Sequence, residues 1–285
     1  MKCPCGSEHY IKRGYFRPRS NNYQPIPRYE CKVCHKTFSR QTTAHTFRQK
    51  RPDLNQEILK WYSSNATQRR MAKVMGCNRK TVIRKFLFMA HLARQEHERR
   101  IRSGELKTSY VQFDEMETFE HTRLKPLAIA IAVRAKTGEI IEAQVAETNC
   151  HGKTAKLSQF KYGWRQNNRA VAREDVLRQV KAVARDFITI VSDAKRAYPA
   201  EVKRWVPHAE FQAVTSRVGR RKLSSQANRR NQDDAMFALN LVAAKIRHDM
   251  SRMGRKTWVT TKKAERLQAH LDLYIAFNNG YQLAA

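Results

Sequence analysis

The chain has 285 residues, 56 Lys plus Arg against 25 Asp plus Glu, a formal net charge of +31, and 41% hydrophobic residues. That apolar fraction is enough to build cores, which excludes a disordered basic tail, and a charge so lopsided opposes compaction unless a polyanion neutralises it. The longest strongly apolar run, Leu127 to Val133, is far short of the ~20 residues a spanning helix needs, and "MKCPCGSEHY" has no apolar signal core. The expected partner is therefore nucleic acid and not a membrane, in the cytoplasm at the nucleoid.

Four of the six cysteines lie in the first 34 residues, Cys3 and Cys5 in "KCPCGS" and Cys31 and Cys34 in "YECKVCHKTF". In a reducing compartment such thiols are metal ligands sooner than disulfides. Two thiolate pairs separated by a loop of this length suit one tetrahedral Zn²⁺, and four protein ligands leave no open position for catalysis. Residues 1–45 are thus expected to form a zinc ribbon with a structural metal. The first pair is Cys-x-Cys, one residue shorter than the second, which keeps His9 and His35 as substitute ligands.

Residues 46–104 carry helical periodicity. Leu54, Ile58 and Trp61 recur at helical spacing; a second helix follows the capping candidates Asn65 and Thr67, with Met71, Val74 and Met75 on one face. After a turn at Gly76, Cys77 and Asn78, a third helix begins at Arg79. Its inward residues are Val82, Ile83, Phe86 and Leu87, and Arg79, Lys80, Thr81 and Arg84 point out. This is the layout of a helix-turn-helix, whose second helix sets its N-terminal side chains against base edges in the major groove. An ordinary helical hairpin with a solvated basic face is the alternative.

Beyond a mixed-charge stretch, residues 105–285 change pattern. "YVQF" reads as a short strand ending at Asp114, "PLAIAIAVRAKTGEIIEAQVAET" as two strands around a turn at Lys136, Thr137 and Gly138, and "FITIVSD" as a fourth. Helical patterns alternate from there: "REDVLRQVKAVARD", "AYPAEVKRWV", "DDAMFALNLVAAKIRHDM" and "KAERLQAHLDLYIAFNN". Three strands in a hairpin series followed by alternating helix and strand is the order of a ribonuclease-H-like mixed sheet, so the fold class expected is α/β.

Phosphodiester chemistry by two metal ions needs carboxylates converging from separate elements, because hard divalent cations take oxygen ligands. Asp114 after "YVQF" and Asp193 after "FITIVS" fall on neighbouring strands of that sheet. Asp233 and Asp234 open the long helix in "NRRNQDDAMFALNL", and adjacent helical positions lie ~100° apart, so only one can join them. Each acid also has a plainer reading, as a strand terminator or a complement to a helix dipole. Glu115, Glu117 and Glu120 read as residues that line the strand edge or pair with nearby Lys and Arg.

The order of zinc ribbon, helix-turn-helix and acid-bearing domain resembles the insertion-sequence-1 type bacterial DDE transposases. The motifs that carry the likeness are "CPC" with "YECKVCHKTF", "MAKVMGCNRKTVIRK", "FDEMETF", "ITIVSDAKRAYP", and "LNLVAAKIRHDMSRMGRKTW" with "ERLQAHLDLYIAFNN". They cover nearly the whole chain. The resemblance implies that Asp114 and Asp193 are ligands of Mg²⁺ or Mn²⁺. Its third acid is normally a Glu whose register falls here on Ala235, beside Asp234, so Asp234 is the first choice and Asp233 the second. His208 after "RWVP" resembles a His found downstream of the second Asp, a surface His being the alternative.

The segment "SRVGRRKLSSQANRR" contributes Arg220, Arg221, Lys222, Arg229 and Arg230 to a stretch with no acid, and "KYGWRQNNRA" interleaves Tyr162 and Trp164 with base; both suit phosphate tracking and base stacking. The sequence reading is a transposase that binds element ends in double-stranded DNA and cuts and joins strands, as a homodimer or larger assembly. A non-catalytic DNA-binding regulator derived from one, and a metal-dependent nuclease of the same fold, are the alternatives.

Overall fold

The computed structural model describes residues 1–18, 23–62, 64–215, 234–254, 259 and 263–283. The chain divides into two compact units, Met1–Lys60 and Trp61–Leu283.

In the first unit, β1 (Tyr10–Phe16), β2 (Ile26–Cys31) and β3 (Thr37–Phe38) form an antiparallel sheet in that order. Its core is small: Cys3, Cys31 and Phe38 are buried, with Tyr10 and Tyr29 packed against them edge-on to one another. So few apolar side chains cannot hold a fold of this size without a covalent or metal staple.

Helix α1 (Leu54–Tyr62) spans the boundary between units. In the second unit α2 (Gln68–Val74) starts at Thr67, whose Oγ1 accepts the Arg70 N–H at 3.2 Å, and α3 (Arg79–Arg102) starts at Asn78, whose Oδ1 accepts the Lys80 N–H at 2.8 Å. Each cap satisfies an N–H that the helix itself leaves open. Gly76 takes φ +57°, where a side chain would be strained, and so lets the chain turn between them. Met71, Val82 and Phe86 are buried as expected, with Ile83 half-buried. Val74 differs: it is exposed, because α2 is only two turns long and buries Met71 and Ala72 instead.

Helix α3 is long, 24 residues, and ends at Arg102 within the mixed-charge stretch. Its later turns bury Met89, Ala90, Leu92 and Ala93 and lie with α8 (Ala264–Asn278) against the sheet. Arg94 makes a bidentate pair with buried Glu142 at 2.8 Å, and His97 bridges the Tyr281 hydroxyl and the Ile141 carbonyl.

The sheet contains β4 (Thr108–Phe119), β5 (Pro126–Arg134), β6 (Ile140–Glu147), β7 (Ala184–Asp193) and β8 (Ala209–Val214), in the order β6-β5-β4-β7-β8. The first three make an antiparallel meander; β7 and β8 join parallel to β4. This five-stranded mixed sheet is compatible with a ribonuclease-H-like fold. One face packs on α5 (Arg169–Val183) and α6 (Tyr198–Trp205) through Val111, Phe113, Ile141, Val176 and Val180. Strand alternation sends Gln112 and Glu142 to the other face, where α3, α7 (Phe237–Asp249) and α8 lie.

After β6, Gly152–Thr154 forms a short 3-10 turn that leads into α4 (Ala155–Tyr162), neither of which the sequence pattern predicts. Nor does it predict β8. That strand is at the sheet edge and largely exposed, and α4 leaves Leu157 and Phe160 in solvent, so neither carries a clear apolar pattern.

Candidate active site and metal centre

β4 pairs with β7 as far as Phe113 opposite Ser192, and Ser192 Oγ donates to the Phe113 carbonyl at 2.5 Å across the same step. There the two strands part. β7 ends at Asp193, aligned with Val214 of β8, while β4 continues with β5 alone from Asp114 opposite Ile131 to Phe119 opposite Pro126. Asp114 therefore does not end its strand, as the sequence suggested; the length of β5 carries β4 five residues farther. It sits instead where β4 loses its parallel neighbour, next in register to Asp193.

Both acids line one open cleft of about 660 Å³, with Glu115, Arg169, Lys195 and Val214 also on its walls. Burial pushes the Asp114 carboxyl above its ordinary range, and the nearby charge of Asp193 pushes in the same direction. The buried Tyr198 hydroxyl donates to Asp114 and to Glu115, at 3.3 Å each. Glu115 meets the opposite balance. Burial raises its carboxyl, but Lys195, Arg169 and Arg173 outweigh that and hold it below the usual range. Glu117 pairs with Arg169, and Glu120 with Arg165 and Lys125, so the three glutamates are engaged by cations as read. Of the acids in this stretch, Asp114 is the one whose charge the cleft leaves poorly compensated.

Asp234 lies elsewhere along the same face. Its Oδ1 accepts the Met236 N–H and its Oδ2 the Asn240 side-chain amide, both at 2.9 Å, at the entry to α7. Gln112, two residues before Asp114, donates to the Ala235 carbonyl and accepts the Leu239 N–H, tying that entry to β4. Among the described residues the three aspartates do not meet as one group of ligand atoms. Asp233, Arg220, Arg221, Lys222, Arg229 and Arg230 lie outside the described residues. His208 is exposed just before β8, at the strand end opposite Val214, and does not join the cleft. Tyr198, Lys195 and Gln112 were missed as site-forming residues; only the proximity of Lys195 and Tyr198 to Asp193 in "SDAKRAYP" hinted at two of them.

At the N-terminus of α3, Arg79, Lys80 and Arg84 are exposed and Thr81 is half-buried. In the first unit the four thiols of Cys3, Cys5, Cys31 and Cys34 all lie within 4.8 Å of one another, with Cys3 to Cys34 and Cys5 to Cys31 at 3.6 Å. These are not disulfide distances. A tetrahedron with metal–sulfur bonds of about 2.3 Å has edges near 3.8 Å, so the cluster fits Zn²⁺. The backbone N–H of Cys34, and that of Val33 at 3.4 Å, point at the Cys31 sulfur and bring its thiol down to about 6, which favours the thiolate a metal needs. His9 and His35 are not part of the cluster.

No family model matches the chain, and no curated protein matches it. Among solved structures it is similar to one described as the crystal structure of the Mos1 strand transfer complex, at 11% identity over 78% of this chain and 70% of that one, with a TM-score of 0.34. Among the described residues no helix is long and apolar enough to cross a membrane.

Proposed function

We propose that the chain is a DNA transposase of the DDE type, resembling the insertion-sequence-1 enzymes. The observation that carries the reading is the adjacency of Asp114 and Asp193 where β4 and β7 part, in a cleft of a chain whose net charge is +31. Burial, and the charge of Asp193 beside it, raise the cost of ionising Asp114, and a hard cation relieves it.

In this reading residues 1–45 form a zinc ribbon, residues 46–104 a helix-turn-helix unit and residues 105–285 a ribonuclease-H-like catalytic domain. Cys3, Cys5, Cys31 and Cys34 hold Zn²⁺ structurally. Arg79, Lys80, Thr81 and Arg84 read the element ends, and Arg220, Arg221, Lys222, Arg229 and Arg230 track phosphates. Asp114 and Asp193, with Asp234 or Asp233 as the third ligand, hold Mg²⁺ or Mn²⁺. When bound there, such a cation supplies Lewis acidity at a phosphodiester and an acidified water. Tyr198 holds the Asp114 carboxylate in place, and Lys195 and Arg169 lower the repulsion between the acidic cleft and an incoming phosphate. Pairing two ends requires a dimer or a larger assembly on DNA, and a soluble nucleoid-associated location goes with that role.

Because Asp234 already accepts two hydrogen bonds at the start of α7, a second reading stands beside the first: a DNA-binding regulator that keeps the fold without the chemistry. A nuclease of the same fold differs only in failing to join strands. The test is to incubate the protein and its Asp114→Ala, Asp193→Ala and Asp234→Ala variants with Mg²⁺ and DNA carrying candidate ends. Nicking and joining by the parent alone is the expected result. Equal activity in all four sinks the assignment, specific binding without cutting favours the regulator, and cutting without joining favours the nuclease.

A further inference from the structure

The segment between β6 and α5 carries a second cleft, of about 520 Å³, at the same end of the sheet as the acids. Trp164, 82% exposed, and Tyr162 stand on its wall, and Phe160, 88% exposed, projects from the last turn of α4. Water-facing aromatics in such a group are costly to keep unless something covers them. The floor is of another kind. Arg165 has a side chain only 8% exposed, donates to Glu120 at 3.3 Å and pairs through Nη2 with Glu147 at 3.4 Å, yet among the described residues its buried Nε has neither a hydrogen-bond nor an ion-pair partner. Glu147 and Lys125 complete that floor.

The segment is firmly seated. Ser158 Oγ donates to the Leu124 carbonyl at 2.6 Å, and the Asn168 N–H donates to the Glu147 carbonyl at 3.0 Å. Arg169 follows Arg165 by four positions and pairs with Glu115 and Glu117 in the acid cleft. A chain of that length spans at most about 14 Å, so the two clefts are neighbours.

We infer that this cleft binds one unpaired nucleobase of a DNA strand, stacked on Trp164, with its polar edge on Arg165, Glu120 and Glu147. The floor chemistry selects the ligand. One arginine and one lysine against two carboxylates make a neutral mixture of donors and acceptors, which suits a base edge and not a phosphate. The surround selects the rest: from Cys150 to Arg169 there are five Lys or Arg and no acid, as a polyphosphate backbone requires. An aromatic face with basic flanks is the arrangement that holds single strands without sequence preference. The volume lies in the range of a small-ligand pocket. The inference rests on the reading that the acid cleft acts on DNA; the base held would flank the phosphodiester there.

The test compares a labelled twelve-nucleotide oligothymidylate with an abasic strand of the same length, at one salt concentration, so that phosphates are equal. The full-length protein is expected to prefer the strand with bases by at least about fivefold. Trp164→Ala should remove that preference, and Trp164→Phe should retain most of it; the side chain is exposed, so neither change is expected to unfold the chain. Affinity for a blunt duplex should stay within about twofold in both. Equal binding of the two strands by the parent, or an unchanged preference in Trp164→Ala, overturns the inference. Cleavage with Mg²⁺ is scored separately. A Trp164-dependent preference in a protein that never cuts leaves this site standing and removes the transposase reading, and the reverse result does the opposite.

Discussion

Gln112 donates its side-chain amide to the Ala235 carbonyl at 2.6 Å and, with the other end of the same group, accepts the Leu239 N–H at 2.8 Å. One buried side chain on β4 thereby fixes the entry of α7 two residues from Asp114, and the strand that carries the first acid also positions the turn that carries Asp234. Gln112→Leu keeps the volume and leaves two backbone groups unpaired. A loss of about 1–3 kcal/mol in denaturant unfolding is expected, together with a fall in Mg²⁺-dependent cleavage. Unchanged stability would mean the two bonds are replaced by water.

Mg²⁺ or Mn²⁺ is expected to stabilise the folded chain through Asp114 and Asp193. At ten times its dissociation constant a ligand of the native state adds about 1.4 kcal/mol, seen as a higher Tm. Asp114→Asn and Asp193→Asn should each abolish the rise. A parent protein whose Tm ignores both cations has no such site.

Asp272 on α8 gives a pH signature. Burial pushes its carboxyl up to about 6, against the pull of Gln268 and Arg94. A carboxyl raised in the folded state binds its proton more tightly there than when unfolded, so its contribution is most favourable below about pH 4 and is lost as pH rises to about 6. Asp272→Asn should therefore gain on the order of 1 kcal/mol over the parent at pH 7 and nothing at pH 4. Unfolding measured for both proteins at each pH isolates the difference.

Removal of zinc should act on the first unit. The core cluster at its sheet contains Cys3, Cys31 and Phe38, with Tyr10, Tyr29 and Cys34 packed against it, so chelation is expected to expose the four thiols to a thiol reagent and to release about one zinc per chain. Cys31→Ser should behave like the chelated parent. Four thiols that react at once in the untreated protein would rule the metal out.

Arg84→Ala at the N-terminal part of α3 should lower the slope of log affinity against log salt for duplex DNA by about 1, as loss of one phosphate contact does. If the slope is unchanged and base preference alone relaxes, Arg84 contacts a base edge. If neither moves, α3 does not lie on the DNA.

The cap at Thr67, the glycine turn between α2 and α3, the β4-β5-β6 meander and the strand before Asp193 were all legible, because each rests on local chemistry: a hydroxyl within reach of an open N–H, a φ only glycine adopts easily, an alternating or continuous apolar run. Asn65, the other cap candidate, caps no described helix, and Asn78, read as a turn residue, caps α3. Val74 was misjudged, since helical spacing gives a face but not which turns of a short helix find a neighbour. β8 and α4 escaped because an edge strand and a helix with exposed Leu157 and Phe160 bury too little to leave a pattern. The cysteine cluster was legible from spacing, whereas the exclusion of His9 and His35 from it depended on how β1 and β2 pair.

Local order and charge thus belong to the sequence: the kinds and succession of elements, the net charge of +31, the thiol pairs, and the two strands that end in or pass through Asp114 and Asp193. Register and electrostatic balance do not. Whether Asp114 stands beside Asp193, which of the acids in "DEMETFE" is left with its charge poorly met, and where the α7 entry that carries Asp234 is tied to β4 are all set by contacts between segments far apart in the chain, up to 127 residues for Gln112 and Leu239. Such contacts form only when the whole sheet and its helices close, and no window of sequence contains both partners.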